Sequence, residues 1–447
     1  VRVTLGGFIE AASIFRTRNE TADISSSFNT GIPLPQSPNY HQPELRESAR
    51  QSRVSLLVEG SPNSNTALTA FFESDFNSAG VTSNSTESDS YTLRVRHVFA
   101  EYLRKDWDFY ILGGQTWSLA TMNKTGMVPR QEDIPLTIDA QYVPGFVWTR
   151  NAQIRFVKGF DKDRFALGLS FESPESGYYV ASTTSSTNPA GLASNYSVNY
   201  QNPGLGGNGG TLNSTAQYTT EYAPDTILKA TADPGYGHYE VFGMLRFPHD
   251  RVETLGTGYN HTKLAGGGGG GAILPIIKSK LDFQVSGLVG QGIGRYGSAQ
   301  ISDNTFQRDG APQPVPEWMA LAGLIYRPVK SVDLYSYVGT EQVIHREAFR
   351  VGNAGYGYGS PLYSNAGCEI ENSPATCIGN TSGVVQGTVG GWWRFLKGDF
   401  GTMQTGVQYS YTRRSTFSGV GPTVGSQNSP STDNNIIMFA FRYLPFQ

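Results

Sequence analysis

The residues of this chain best suited to chemistry are arginines at alternate positions. Arg94 and Arg96 stand two apart in LRVRHVFAEYLR, a spacing that puts both side chains on one face of an extended strand. Arg53 lies in another period-two segment and falls on the same expected face. A guanidinium stays charged at every relevant pH and holds a carboxylate through two parallel hydrogen bonds, so a ladder of them attracts and orients anions. Glu73 and Asp75 lie on the segment between them, which gives a plainer alternative: acids and arginines pair with one another and brace a wall. A long polar stretch further on carries Arg130, Glu132, Asp133 and Asp139. Folded toward the arginines, its acids would set a transverse field across a constriction. Arg155, Arg246, Arg394 and Arg442 have the same inward phase in their own segments and read as distributed charges.

Other candidates are weaker. His97 and Glu101 fall on the opposite face from Arg94 and Arg96, where apolar surroundings would be costly; a subunit interface would relieve that, and a one-residue slip of register is the competing reading. Cys368 and Cys377 are the only cysteines, nine positions apart in one polar stretch, and in an oxidising compartment a disulfide is expected. No histidine or further cysteine stands near them, so neither a metal nor a cofactor is expected. Gly292, Gly294 and Gly297 spell the dinucleotide fingerprint, but a polar stretch follows where that motif needs a helix. Gly266 to Gly271 reads either as a flexible linker or as a wall segment that admits a close neighbour. HExxH, GxSxG and phosphate-binding loop motifs are missing, so an enzyme is not expected, although residues converging from separate strands would escape a motif search.

The elements that must position these residues follow from composition and periodicity. Only 38% of the 447 residues are hydrophobic and 16% charged, with 53 Gly, 24 Tyr and 24 Phe. A soluble globular chain carries about 45–50% apolar residues. A wall with lipid outside and water inside needs only every second residue apolar, which accounts for the deficit. No apolar run reaches the length of a membrane-spanning helix, and no basic-then-apolar leader opens the chain, so the sequence is read as mature or trimmed. A net charge of −3 offers no basic patch for nucleic acid.

Period-two segments bounded by turn residues lie near 1 to 14, 49 to 60, 66 to 76, 91 to 104, 108 to 118, 146 to 158, 163 to 173 and 225 to 233. The second half repeats the pattern near 237 to 247, 262 to 277, 280 to 296, 317 to 327, 331 to 344, 384 to 396, 399 to 413 and 435 to 446. Tight connections such as Lys105 to Trp107 and Lys278 to Ser279 alternate with long ones at 15 to 48, 77 to 90, 119 to 145, 174 to 224, 248 to 261, 297 to 316, 345 to 383 and 414 to 434. Strict alternation of short and long connections is the habit of outer-membrane barrels, with short periplasmic turns and long extracellular loops. The expected fold is therefore all-β, one transmembrane antiparallel barrel of about sixteen strands spanning 1 to 447. An even count lets the first and last strands pair and leaves no edge in lipid. A soluble β-sandwich is the bland alternative; its strands are shorter and its connections less unequal.

The stretch LRVRHVFAEYLRKDWDFYILGGQTWSLAT, Leu93 to Thr121, with RNAQIRF at Arg150 to Phe156, resembles the dicarboxylate-porin family typified by DcaP. GHYEVFGMLRF at Gly237 to Phe247 and KLDFQVSGLVGQGIGRYG at Lys280 to Gly297 are similar to it too. The resemblance covers about a third of the strands and almost none of the loops. It implies a trimeric sixteen-stranded porin with its third loop folded into the lumen and a preference for organic anions, embedded in outer-membrane lipid and lipopolysaccharide and taking small anionic solutes. A general non-selective porin, or a structural or adhesive barrel whose long loops bind a partner, are the alternatives.

Overall fold

The computed structural model describes residues 1–78, 89, 91–161, 164–181, 185–201 and 218–446. Most of the second loop expected at 77 to 90, part of the fourth loop and Lys162 of one expected turn lie outside them.

Sixteen strands form the wall. In chain order they are β1 (Arg2–Arg16), β2 (Arg53–Asn63), β3 (Thr66–Asp75), β4 (Arg94–Arg104), β5 (Phe109–Trp117) and β6 (Arg150–Phe160). There follow β7 (Phe165–Glu172), β8 (Asp225–Ala232), β9 (His238–Arg246), β10 (Ala265–Ile277) and β11 (Leu281–Gln291). The last five are β12 (Pro316–Val329), β13 (Val332–Val343), β14 (Thr381–Gly398), β15 (Gly401–Thr416) and β16 (Ser431–Leu444). Each pairs antiparallel with the next, and β1 closes on β16 in the register Glu10↔Arg442 to Phe15↔Ile437. Closure leaves the wall no open edge, which lipid demands because a row of unpaired N–H and C=O groups there has no water to turn to.

The alternation behind this is plain in β9. His238, Glu240, Phe242, Met244 and Arg246 are buried, while Tyr239, Val241, Gly243 and Leu245 are exposed. Exposed Leu68 and Phe72 on β3, and Phe165, Leu167 and Phe171 on β7, continue an apolar outer belt. In a soluble protein so large an apolar surface would aggregate; around a closed barrel it is the lipid contact.

Two segments depart from the expected boundaries or settle an open choice. Glu44–Ser48, expected within the first loop, forms a strand that extends β2 along β1, with Ala12↔Ser48 and Arg16↔Glu44 paired. The glycine run lies in the wall: Gly266 to Gly271 sit in β10, paired on one side with β9 and on the other with β11. A side chain at Gly269 would meet Gly287 O at 2.4 Å and the Phe242 ring at 2.5 Å, so the run lets its neighbours close in.

The barrel is filled from within. Loop 3 (118–149) first crosses toward β7–β9: Leu119 N donates to Glu172 Oε1 (2.8 Å), Lys229 Nζ to Thr121 O (2.9 Å), and Asn123 N to Glu240 Oε2 (3.1 Å). It then reaches β13–β15, where Leu136 N donates to Tyr337 OH (3.1 Å), Trp392 Nε1 to Leu136 O (2.8 Å) and Ile138 N to Gln408 Oε1 (2.6 Å). Ile138, Tyr142, Val143 and Phe146 bury themselves against Leu321, Tyr335 and Met438. At Gly145 (φ +89°) the loop lies so close to the wall that a Cβ would stand 2.0 Å from Ala320 O.

Candidate functional site

Directly opposed residues of two antiparallel strands point to the same face, and the pairing of β3 with β4 slips by one residue at Arg96. Glu73 opposes His97, whereas Ser74 opposes Val95. Arg94 and Arg96 face inward above this bulge and His97, Phe99 and Glu101 below it. Asp75 accepts from Arg94 Nε (3.0 Å), Arg94 Nη2 (2.7 Å) and Arg96 Nη1 (2.9 Å), and Glu73 accepts from Arg96 Nε at 2.6 Å. The bracing contacts weighed as the plainer alternative are thus present. Arg53 stands apart: its Nη1 is 3.7 Å from Glu73 Oε1 and its buried Nε has no acceptor among the described residues.

The bulge also corrects the expected placement of His97 and Glu101. Neither faces outward to a neighbouring subunit. His97 is buried against Phe71 and Trp117, with Nδ1 hydrogen-bonded to Thr116 Oγ1 at 3.0 Å. Glu101 opposes Thr69 and the fully buried Leu112, on the inner face. Simple alternation counted from Arg96 gives the wrong side for both, because the bulge resets the phase.

Beneath loop 3, on the side of the short turns, lies a cavity of about 710 Å³. Its basic lining residues are Arg53, Arg96, Lys124, Arg130, Arg394 and Arg442, and its acidic ones Glu73, Glu132, Asp139 and Asp333. Several cations lie over aromatic faces: Arg53 and Arg442 on Phe8 at 5.1 and 4.1 Å, Arg130 on Phe71 at 4.6 Å. Such stacking holds a guanidinium in place while leaving its in-plane N–H groups for a solute.

The remaining expected residues divide. Arg394 pairs with Asp333 (2.6 Å) and Arg442 with Glu10, both at the cavity wall. Arg155 and Arg246 are sealed under loops instead of facing open water: Arg155 Nη2 donates to Trp117 O (2.6 Å), and Arg246 is held by Asp225 and Asp303. On loop 3, Arg130, Glu132 and Asp139 line the cavity, the Oδ1 of Asp139 accepting from Ser26 N (3.2 Å) and Gln141 N (2.9 Å), and Asp133 lies buried outside the lining. The loop residue set among the arginines and tryptophans is Tyr142, with its ring 6.2 Å from Trp117 and 5.3 Å from Trp148. Arg150 was not singled out from sequence. Counted from Arg155 it takes the outward phase, yet where loop 3 rejoins β6 it turns over Trp117 (4.8 Å) and Trp148 (5.0 Å), with a buried Nη1 lacking any acceptor among the described residues.

Among solved structures, the chain is similar to the outer-membrane channel DcaP of Acinetobacter baumannii, with a TM-score of 0.61 at 15% identity over 99% of this chain and 96% of that one. Its fold is that of the outer-membrane porins. A porin barrel also explains the apolar belt and the closed sheet, and marks the chain as an integral outer-membrane protein. An anion-selective porin from Comamonas acidovorans (TM-score 0.48, 9% identity, 99% of this chain and of that one) and OmpT of Vibrio cholerae (0.48, 9%, 99% and 97%) are more distant, and the fold assignment rests on DcaP. No protein-family model matches the sequence, and no curated protein does. Cys368 and Cys377 form a disulfide in the long loop between β13 and β14 of the porin barrel.

Proposed function

We propose that the barrel is a porin that passes small hydrophilic solutes by diffusion and prefers anions, with small organic dicarboxylates as the substrate class. The observation that carries this is the charge of the cavity: six basic side chains face four acids although the whole chain carries −3. Two of those acids, Glu73 and Asp333, are already engaged by Arg96 and Arg394. Arg53 lines the cavity with only a 3.7 Å approach to Glu73, and Arg130 has no acid partner among the described residues. Two guanidiniums with spare donors in one low-dielectric cavity suit a solute with two carboxylates, each held by charge-assisted hydrogen bonds. Homotrimeric assembly in lipid and lipopolysaccharide belongs to the same proposal and rests on the sequence resemblance.

The test is single-channel recording in planar bilayers across a KCl gradient. The reversal potential is expected on the anion side and succinate is expected to block the current. Replacing Arg53 and Arg130 by Ala shifts the reversal potential toward cations and relieves the block while the barrel stays heat-modifiable. A cation-selective wild type leaves only a general porin, and a folded protein without conductance overturns the channel reading.

A further inference from the structure

On the side of the long loops, loop 1 (17–52) leaves β1 and turns inward over loop 3. Ile24, Phe28 and Ile32 are at most 1% exposed. Phe28 packs with Ala299 and Ile301 of loop 6 (292–315) and with Val343 of β13 and Val384 of β14. Ser26 N donates to Asp139 Oδ1 of loop 3 (3.2 Å), Arg414 Nη1 to Ile32 O (3.0 Å), and Thr432 Oγ1 to Pro33 O (2.7 Å). This loop therefore occupies part of the mouth above the cavity.

Its outer end is held by the ring that the disulfide closes. Gln36 N donates to Cys368 O (3.0 Å), and Gln36 O accepts from Asn372 N (3.1 Å). Gln36 Nε2 donates to Ser373 O (2.9 Å) and Ala375 O (2.7 Å). Every partner is a backbone group between Cys368 and Cys377, so the chain segment between the cysteines wraps one glutamine of another loop. Buried Leu34 lies under the same ring, where a Cβ on Gly379 would meet Leu34 Cδ1 at 2.6 Å and Cys377 Sγ at 3.6 Å. Backbone acceptors at three positions converge on one residue, two on its side-chain amide and one on its backbone N–H, only if the segment stays curled, and a covalent closure removes most of the freedom it would otherwise regain.

We propose that the Cys368–Cys377 ring is a clasp for loop 1 and that its reduction opens the mouth of the pore, a redox-sensitive gate. The step is a thiol–disulfide exchange with an external dithiol: the S–S bond takes two electrons and two protons to give two thiols, and the dithiol becomes its own disulfide. The uncurled segment then releases Gln36, and loop 1 lifts from loops 3 and 6.

Three preparations test this, each first checked for heat-modifiable folding: wild type with dithiothreitol added on the loop side, the C368S/C377S double variant, and Gln36→Ala, which keeps the disulfide and removes the two side-chain contacts. In all three the main conductance level is expected to shift upward with added flicker, and trypsin is expected to gain cleavage after Arg18. Dithiothreitol should change nothing further in the double variant. Unchanged conductance and unchanged cleavage in the double variant overturn the gate. An open double variant beside a closed Gln36→Ala overturns the clasp as its cause. The proteolysis reports on loop 1 even in a barrel that conducts no ions, so failure of the porin reading is distinguishable from failure of this one.

Discussion

Arg246 and Arg130 are the same residue type in opposite circumstances. Arg246 is 1% exposed, with Asp225 at 3.1 Å and Asp303 at 2.8 Å, further donations to the carbonyls of Gly292 and Glu175, and Tyr296 beneath its guanidinium at 5.4 Å. Arg130 is exposed to the cavity, rests on Phe71 and meets no acid among the described residues. Every donor that a wall acid or carbonyl saturates is lost to a passing solute. The comparison therefore separates arginines that hold the barrel's loops from arginines that can act on its contents, and Arg94 and Arg96, paired to Asp75 beside the lumen, lie between.

The largest effect belongs to the saturated end. Arg246→Ala leaves Asp303 buried without its cation and Asp225 with only Arg295 at 3.7 Å, at a cost of about 3–5 kcal/mol. The temperature of the heat-modifiable gel shift should fall and the loops around Asp303 should become protease-sensitive, with ion selectivity unchanged. A change of selectivity in this variant would erase the distinction.

Replacing Arg94 and Arg96 together by Ala should give a mixed result. Asp75, fully buried, loses both partners at a cost of about 1–3 kcal/mol, and the cavity loses the Arg96 charge. Adding Asp75→Asn should restore the gel-shift temperature without restoring anion preference. Restoration of both would place Arg94 and Arg96 wholly among the bracing residues.

The smallest change comes from salt. Raising KCl from about 0.1 to about 1 M shortens the screening length from about 10 to about 3 Å. Anion preference and succinate block, which depend on exposed cations such as Arg130, should weaken. The gel-shift temperature, set in part by the enclosed Arg246 pairs, should hardly move.

Much of the wall was legible without coordinates. Strand β9 is legible in HYEVFGMLR as a short apolar run bounded by turn residues, and the turn at Lys278 and Ser279 by its brevity between two apolar runs. The Glu44–Ser48 strand is not legible, because its five residues carry too little pattern to stand out from a polar loop. The site was less legible. Alternation alone puts His97 and Glu101 on the outer face because a bulge inserts one residue with no mark in the sequence, and the inward turn of Arg150 depends on where loop 3 rejoins the wall.

By itself the sequence determined a closed antiparallel barrel, since period-two burial and turn chemistry act over neighbouring residues and an even strand count removes every edge from lipid. It also determined the disulfide, because two cysteines nine apart in an exported loop have only each other. Only the tertiary structure decided which arginines keep donors to spare, which acid of loop 3 turns to the pore and which to loop 1, and which glutamine the disulfide ring encloses. These depend on contacts between residues tens to hundreds of positions apart, such as Gln36 with Ala375 or Ile138 with Gln408, whose approach is set by the path of whole loops through the barrel.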